Sequence, residues 1–364
     1  MDFLNQIDEQ IFEKKREILN DKIVERRKEM KPDRADMTFG EIINMYVDGE
    51  IIISPEFQRG FRWDEERQSR FIESLLLGIP IPPIFVAETS DGIWELVDGL
   101  QRLSTVLSFF GKLKVKEKNN LVLQEGSLIK ELKGFTIKTL PERYVLALKR
   151  SVCRVEIIRY DSDVDMRYEL FNRLNTGGVE LSEQEIRNCI FRGYSNEFNS
   201  FITKLSKIPE FKNNIKEKPS KIEKMYLQEL VLRYFTIKNE GTNFKGNIQK
   251  HMDNYMLSVS KGKEFNYVEE EELFKRILNK VNDLGSEIFA LSTLPFSTSM
   301  YDVIMIKFSK YIDKIDKLSK KQLIELINEI KADDKFRNET GSSSSSKHRL
   351  TKKMNLTEKY FEAL

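Results

Sequence analysis

Long apolar runs are missing from this sequence, and none approaches the roughly 18 residues that would suggest a membrane-spanning helix. The first residues are charged, with Asp2, Glu9, Glu13, Lys14, Lys15 and Arg16, which does not fit a secretory signal. The expected location is the cytoplasm, with no membrane partner. Cysteine is scarce: Cys153 and Cys189 are the only two, and both sit in apolar surroundings. That argues against a disulfide scaffold and fits free, buried thiols in a reducing compartment. Histidine is equally scarce, and His251 and His348 stand far apart with no zinc-type spacing. Charge of one sign is also missing, because 60 Lys and Arg against 58 Asp and Glu leave a net charge of +2. Any nucleic-acid surface must therefore be a local patch. No Walker A loop, dinucleotide fingerprint or kinase signature occurs.

What is present suits a soluble, largely helical protein. Hydrophobic residues make up 40%, aromatics 10% and charged residues 32% of 364 residues, a length that suggests two domains. Apolar residues at helical spacing (Phe3, Ile7, Ile11, Phe12, Ile18, Leu19, Ile23) predict an N-terminal helix over 3–30, suited to dimerisation or partner docking. Residues 31–37 read as a polar linker. Thr38-Phe-Gly-Glu41 is a capping box that starts the next helix. Ile51–Ile53 reads as a short buried strand. Asp64 reads as the N-cap of a helix with Phe71, Ile72, Leu75 and Leu76 on its buried stripe. Residues 84–87 and 93–97 read as a hairpin turning at Asp91-Gly92, and two small strands are expected at 113–115 and 121–123. A helix follows Pro141, then a strand over 152–158, a helix over 163–174 and a capping box at Ser182-Glu-Gln-Glu185. After about 195 strand signals nearly vanish, and helices are expected at 196–207, 219–237, 245–258, 269–291, 297–312 and 320–333. Gly341 and the five serines after it read as a mobile linker, followed by the basic run 347–353 and a short terminal helix. The resulting plan is an N-terminal helix over 1–35, a mixed α/β domain over 36–195, a helical domain over 196–340 and a tail over 341–364.

Three polar clusters carry candidate chemistry. Asp98-Gly-Leu-Gln-Arg102 falls where a strand turns into a helix, and unsatisfied N–H groups and the helix dipole favour anions there. Gly99 permits a tight turn or the close approach of a ligand. Arg102 offers a planar fork for phosphate, and Asp98 a ligand for Mg²⁺. The same two residues also suit a plain N-cap and ion pair. Phe57-Gln-Arg-Gly-Phe-Arg-Trp63 interleaves Arg59 and Arg62 with aromatics that can stack a base or anchor the loop. In Glu169-Leu-Phe-Asn-Arg-Leu-Asn-Thr-Gly-Gly178, Glu169 and Asn172 share a helix face and can hold a hard cation against a phosphate. Asn175, Thr176, Gly177 and Gly178 follow as a turn with N–H donors, or as a glycine C-cap. Candidate DNA contacts are Arg62, Arg67, Arg70 and the 347–353 run.

Together with Glu73-Ser-Leu-Leu-Leu-Gly-Ile-Pro-Ile-Pro-Pro83, these clusters resemble, in order and over about residues 36–195, the N-terminal domain of GmrSD-type restriction endonucleases. The resemblance implies an α+β protein: a small ParB/sulfiredoxin-like mixed α/β domain followed by an all-α helical domain. It implies nucleotide binding and hydrolysis around an Asp-Gly-Gln-Gln-Arg motif, in proteins that restrict phage DNA. Carried over, Asp98, Gln101 and Arg102 form the catalytic motif. Gln58, Arg59, Gly99, Asn172, Asn175, Thr176 and Gly177 face the nucleotide, and Glu169 and Asn172 hold the metal. The cofactors implied are a nucleoside triphosphate and Mg²⁺, and the partners DNA and an effector or nuclease subunit, with a homo-oligomer compatible. Position 100 departs from the motif, with Leu100 where the family usually has glutamine. The His-Asn-His nuclease domain of many relatives has no counterpart around His251 or His348. Three readings follow: an NTP-hydrolysing switch, a nucleotide- or DNA-binding adaptor without turnover, and a ParB-like metal-dependent nickase.

Overall fold

The structure, a computed structural model, describes residues 2–29, 32–53, 63–89, 91–159, 170, 182–192, 194–341 and 344–364. The chain divides into two compact units, Met1–Glu180 and Leu181–Leu364.

In the first unit the elements are α1 (Asp2–Glu29), β1 (Pro32–Thr38), α2 (Phe39–Asp48), β2 (Ile51–Ile52), α3 (Glu65–Leu76), β3 (Ile84–Glu88), β4 (Trp94–Asp98), α4 (Leu100–Phe109), α5 (Glu142–Arg150) and β5 (Val152–Ile158). The five strands form one mixed sheet in the order β1-β5-β3-β4-β2. The pairs β1/β5 and β3/β4 are antiparallel, while β3/β5 and β2/β4 are parallel. The local signals explain the elements around it. Thr38 and Glu41 close their capping box on α2, and the Asp64 carboxylate accepts the Arg67 N–H at 2.8 Å to start α3. Phe39, Ile42 and Ile43 of α2, Ile72 and Leu75 of α3, and Leu103, Val106 and Leu107 of α4 bury their apolar stripes.

Two expectations are corrected here. Residues 32–38, expected to lie mostly in a polar linker, form the edge strand β1, in register from Pro32 opposite Ile158 to Thr38 opposite Val152. Its polarity misleads because cross-strand ion pairs hold it: Arg34 to Glu156 and Arg154 to Asp36, each at 2.9 Å, and Arg159 to Asp33. Pro32 is tolerated as the first residue of an edge strand. The small strands expected at 113–115 and 121–123 are absent. Leu113, Leu121 and Leu123 are buried, but the Asn119 side chain brackets the Leu113 backbone in place of a ladder, with two 2.9 Å bonds. The helix expected over 163–174 lies outside the described residues, apart from a single helical position at 170.

The second unit is helical: α6 (Glu183–Arg192), α7 (Asn196–Ser206), α8 (Pro209–Asn214), α9 (Pro219–Glu223), α10 (Tyr226–Glu240), α11 (Ile248–Ser260), α12 (Tyr267–Leu284), α13 (Thr298–Ile315), α14 (Lys320–Ala332), α15 (Asp334–Arg337) and α16 (Lys347–Glu362). Among its described residues the only β pairing is one isolated bridge, Leu291 to Leu294. Phe211, Tyr234, Phe235, Phe274 and Tyr301 are buried in an aromatic core. Within that core Arg233 and Asp302 form a fully buried bidentate pair at 2.6 and 2.7 Å. The serine run is corrected in its described part. Ser345 accepts from Arg233 at 3.1 Å, and Ser346 is the N-cap of α16. The basic run is the first two turns of α16, whose Leu350, Lys353, Met354, Thr357 and Phe361 are buried.

Candidate functional site

The candidate site grows from the corner between β4 and α4. Gly99 caps α4 with φ +97, in the left-handed region that favours glycine. A Cβ there would lie 2.5 Å from Ile84 Cγ2 and 3.3 Å from Arg102 Nη2, so the position excludes a side chain twice over. From the first turn of α4, Arg102 Nη2 donates to Asp98 Oδ2 at 2.9 Å and to the Pro83 carbonyl at 3.1 Å. The Arg102 side chain is 15% exposed and that of Asp98 46%, so the pair is open on the carboxylate side. Arg102 Nε is buried and has no hydrogen-bond partner among the described residues. A buried N–H left this way costs about 1–3 kcal/mol, which an incoming oxygen would relieve.

Gln101 ties the corner to the preceding cluster. Its Oε1 accepts the Trp63 backbone N–H at 3.0 Å, while Gln68 Nε2 donates to the Trp63 carbonyl at 2.8 Å. The Trp63 ring meets Phe71 edge-on at 5.8 Å, an anchoring contact. At the other end of the 54–62 segment, Ile52 pairs with Glu95 in a parallel register, so the chain leaves β2 alongside the run of β4 toward Asp98. The residues that flank 54–62, the segment that carries Gln58, Arg59 and Arg62, are thus held beside β4 on one side and at the β4–α4 corner on the other. Those three residues, and Glu169, Asn172, Asn175, Thr176 and Gly177, lie outside the described residues. Among the described residues no three His, Cys, Asp or Glu side chains cluster so as to hold a metal ion.

The described DNA-contact candidates sit on mixed surfaces. Arg67 and Arg70 are exposed on α3, and Arg70 pairs with Glu66 at 2.7 Å. In the 347–353 run, Lys352 pairs with Glu339, Arg349 donates to the Thr340 carbonyl and Lys353 is buried against Ser299. That run is spent largely on holding α16 to its own unit. Cys153 is buried, which pushes its thiol up and makes it a poor nucleophile. His251 stacks on Phe244 and bonds the Gly241 carbonyl.

Sequence reasoning missed three parts of this corner: Gln68, the Pro83 carbonyl and the Thr105 hydroxyl, which donates to the Gln101 carbonyl at 2.7 Å. Gln68 left a readable trace as a polar residue three before Phe71 on the apolar stripe of α3. A backbone carbonyl such as that of Pro83 leaves none.

Comparisons with curated proteins and with solved structures found no match. No helix among the described residues is long and apolar enough to cross a membrane. A family model described as the GmrSD restriction endonuclease, N-terminal domain, matches residues 39–192, which hold the β4–α4 corner, and this part of the chain belongs to that family.

Proposed function

We propose that this chain is a nucleotide-binding, NTP-hydrolysing component of a restriction-type anti-phage system, acting in the cytoplasm, that senses DNA or gates a partner effector. The observation that carries the reading is the Asp98–Arg102 corner. A half-exposed carboxylate, a guanidinium whose buried Nε has no partner among the described residues and a glycine-capped helix N-terminus meet there. That combination suits a phosphate: the helix end supplies N–H donors, and Arg102 a positive charge that is fixed in place by Asp98 and Pro83. We read the five-stranded sheet as ParB/sulfiredoxin-like, with Gln58, Arg59, Gly99, Asn172, Asn175, Thr176 and Gly177 around the nucleotide. Mg²⁺ would enter with the phosphates, and its ligands would be Asp98, through the oxygen not bonded to Arg102, together with Glu169 and Asn172. The metal would neutralise phosphate charge. Arg102 orients the phosphates, and Gln101 holds the Trp63 backbone at the corner.

A second reading, a nucleotide-binding adaptor without turnover, is favoured by one observation. The Gln101 oxygen is committed to the Trp63 N–H, and Leu100 stands at the other glutamine position of the motif. The deciding experiment measures binding and hydrolysis of ATP, GTP, CTP and UTP with Mg²⁺, with and without duplex DNA, in the purified chain. The switch reading expects turnover that disappears in Asp98→Ala and Arg102→Ala while the fold persists. Turnover unchanged in Asp98→Ala overturns it. Binding without turnover, with hydrolysis appearing in Leu100→Gln, supports the adaptor.

A further inference from the structure

α1 carries an uncovered surface. It runs for 28 residues, about 42 Å, and every residue from Phe12 to Glu25 is exposed. Phe12, Leu19 and Ile23, at spacings of seven and four, line one helix face, and Ile18 and Val24 add to the apolar surface; these five side chains are 43–59% exposed. A solvated helix gains nothing from five large apolar side chains, so the stripe calls for a cover.

The charge pattern says what fits. Residues 2–13 carry four acidic residues (Asp2, Asp8, Glu9, Glu13) and no basic one. Residues 14–29 carry seven basic residues (Lys14, Lys15, Arg16, Lys22, Arg26, Arg27, Lys28) against four acidic ones (Glu17, Asp21, Glu25, Glu29). The helix macrodipole rewards such segregation only in the first and last turns. It leaves Glu9, Glu13 and the Lys14–Arg16 group unexplained. A parallel partner of the same sequence would set acidic half against acidic half. An antiparallel one that faces Phe12 with Ile23 sets Asp8 opposite Arg27, Glu9 opposite Arg26, Glu13 opposite Lys22 and Lys14 opposite Asp21, with apolar faces inward.

We propose that α1 pairs antiparallel with α1 of a second copy of this chain and makes the protein a homodimer. The length is that of four heptads, enough for a sustained helix-pair seam. The rest of the first unit then follows from opposite ends of the pair in the two copies.

The test uses the full-length chain. Sedimentation equilibrium at micromolar concentration is expected to give a dimer, and Leu19→Asp with Ile23→Asp a monomer with an unchanged circular dichroism melt. A monomeric wild-type chain overturns the proposal. So does a dimer that survives the double substitution. Orientation is read by disulfide trapping, with the native chain as control. Positions 9 and 26 of one helix lie about 26 Å apart, too far to bridge within a chain. Glu9→Cys alone is expected not to cross-link, and Glu9→Cys with Arg26→Cys to trap a covalent dimer. Efficient cross-linking of Glu9→Cys alone means a parallel pair and overturns the assignment.

Discussion

At the scale of single residues, the β4–α4 corner depends on groups that cannot be exchanged for near relatives. Gly99 has both a positive φ and no room for a Cβ beside Ile84. Gly99→Ala is expected to destabilise the protein by about 1–3 kcal/mol, through strain and overpacking, read as a lower midpoint in urea. Lys353 is a second such position. Burial, partly offset by Asp302 and reinforced by Arg233, pulls its ammonium down to about 8 from the ordinary 10.5. The cation is thus disfavoured in the folded state. The cost is full below pH 8 and fades as pH rises toward 10.5, where the unfolded chain also loses the proton. Lys353→Met removes the charge and keeps the length. Its Tm relative to wild type is expected to be most favourable near pH 7 and to fall steadily toward pH 9.5. A difference that stays flat over that range refutes the assignment.

At the scale of elements, side chains reaching between segments do what propensity does not. The Glu73 carboxylate on α3 accepts the N–H groups of Ile129 and Leu128 at 2.7 and 2.8 Å and the hydroxyl of Ser127 at 2.9 Å. Burial would raise its pKa, but those donors outweigh it and hold the group below the ordinary carboxylate range. Gln101 and Gln68 likewise clamp the Trp63 backbone from both sides. Gln101→Ala is expected to leave the melting curve of the second unit unchanged and to speed tryptic cleavage after Arg59 or Arg62 several-fold. Equal cleavage rates would remove Gln101 from its positioning role. In the second unit, Arg187 on α6 is fully buried and donates to Asp253 on α11 at 2.6 Å and to the Gln184 and Gln249 side chains. Arg187→Met leaves that carboxylate without its guanidinium and is expected to cost about 3–5 kcal/mol in chemical denaturation.

At the scale of the whole molecule, the chain combines a mixed-sheet unit with a helical one. The helical unit has its own aromatic core and buried ion pairs, Arg233–Asp302 and Arg187–Asp253. Residues 181–364 expressed alone are therefore expected to be helical by circular dichroism and to melt in one cooperative transition. A molten fragment would show that the core is completed by the first unit. The family-matched segment runs to 192, so α6 lies both in that segment and in the helical unit. The expected division near 195 and the break after 180 differ by this one helix. Its polar face was readable as a capping box at Ser182 and Glu185, but its bonds to α11 involve residues more than 60 positions away.

The sequence by itself determined the elements with local causes. The capping boxes, the β3–β4 turn at Gly92, the helical periodicity after 195 and the strand-to-helix turn at Asp98-Gly99 all arise from interactions within a few residues. It also carried the resemblance to the family whose model matches residues 39–192. Tertiary structure alone decided the rest. Whether polar residues 32–38 form a strand depended on carboxylates and guanidiniums some 120 positions distant. Whether Gln101 faces a ligand or a backbone depended on where Trp63 falls, and whether Lys353 is a surface charge or a buried one depended on Ser299 in another helix. A side chain's partner is set by the packing of whole elements, and no spacing along the chain records it.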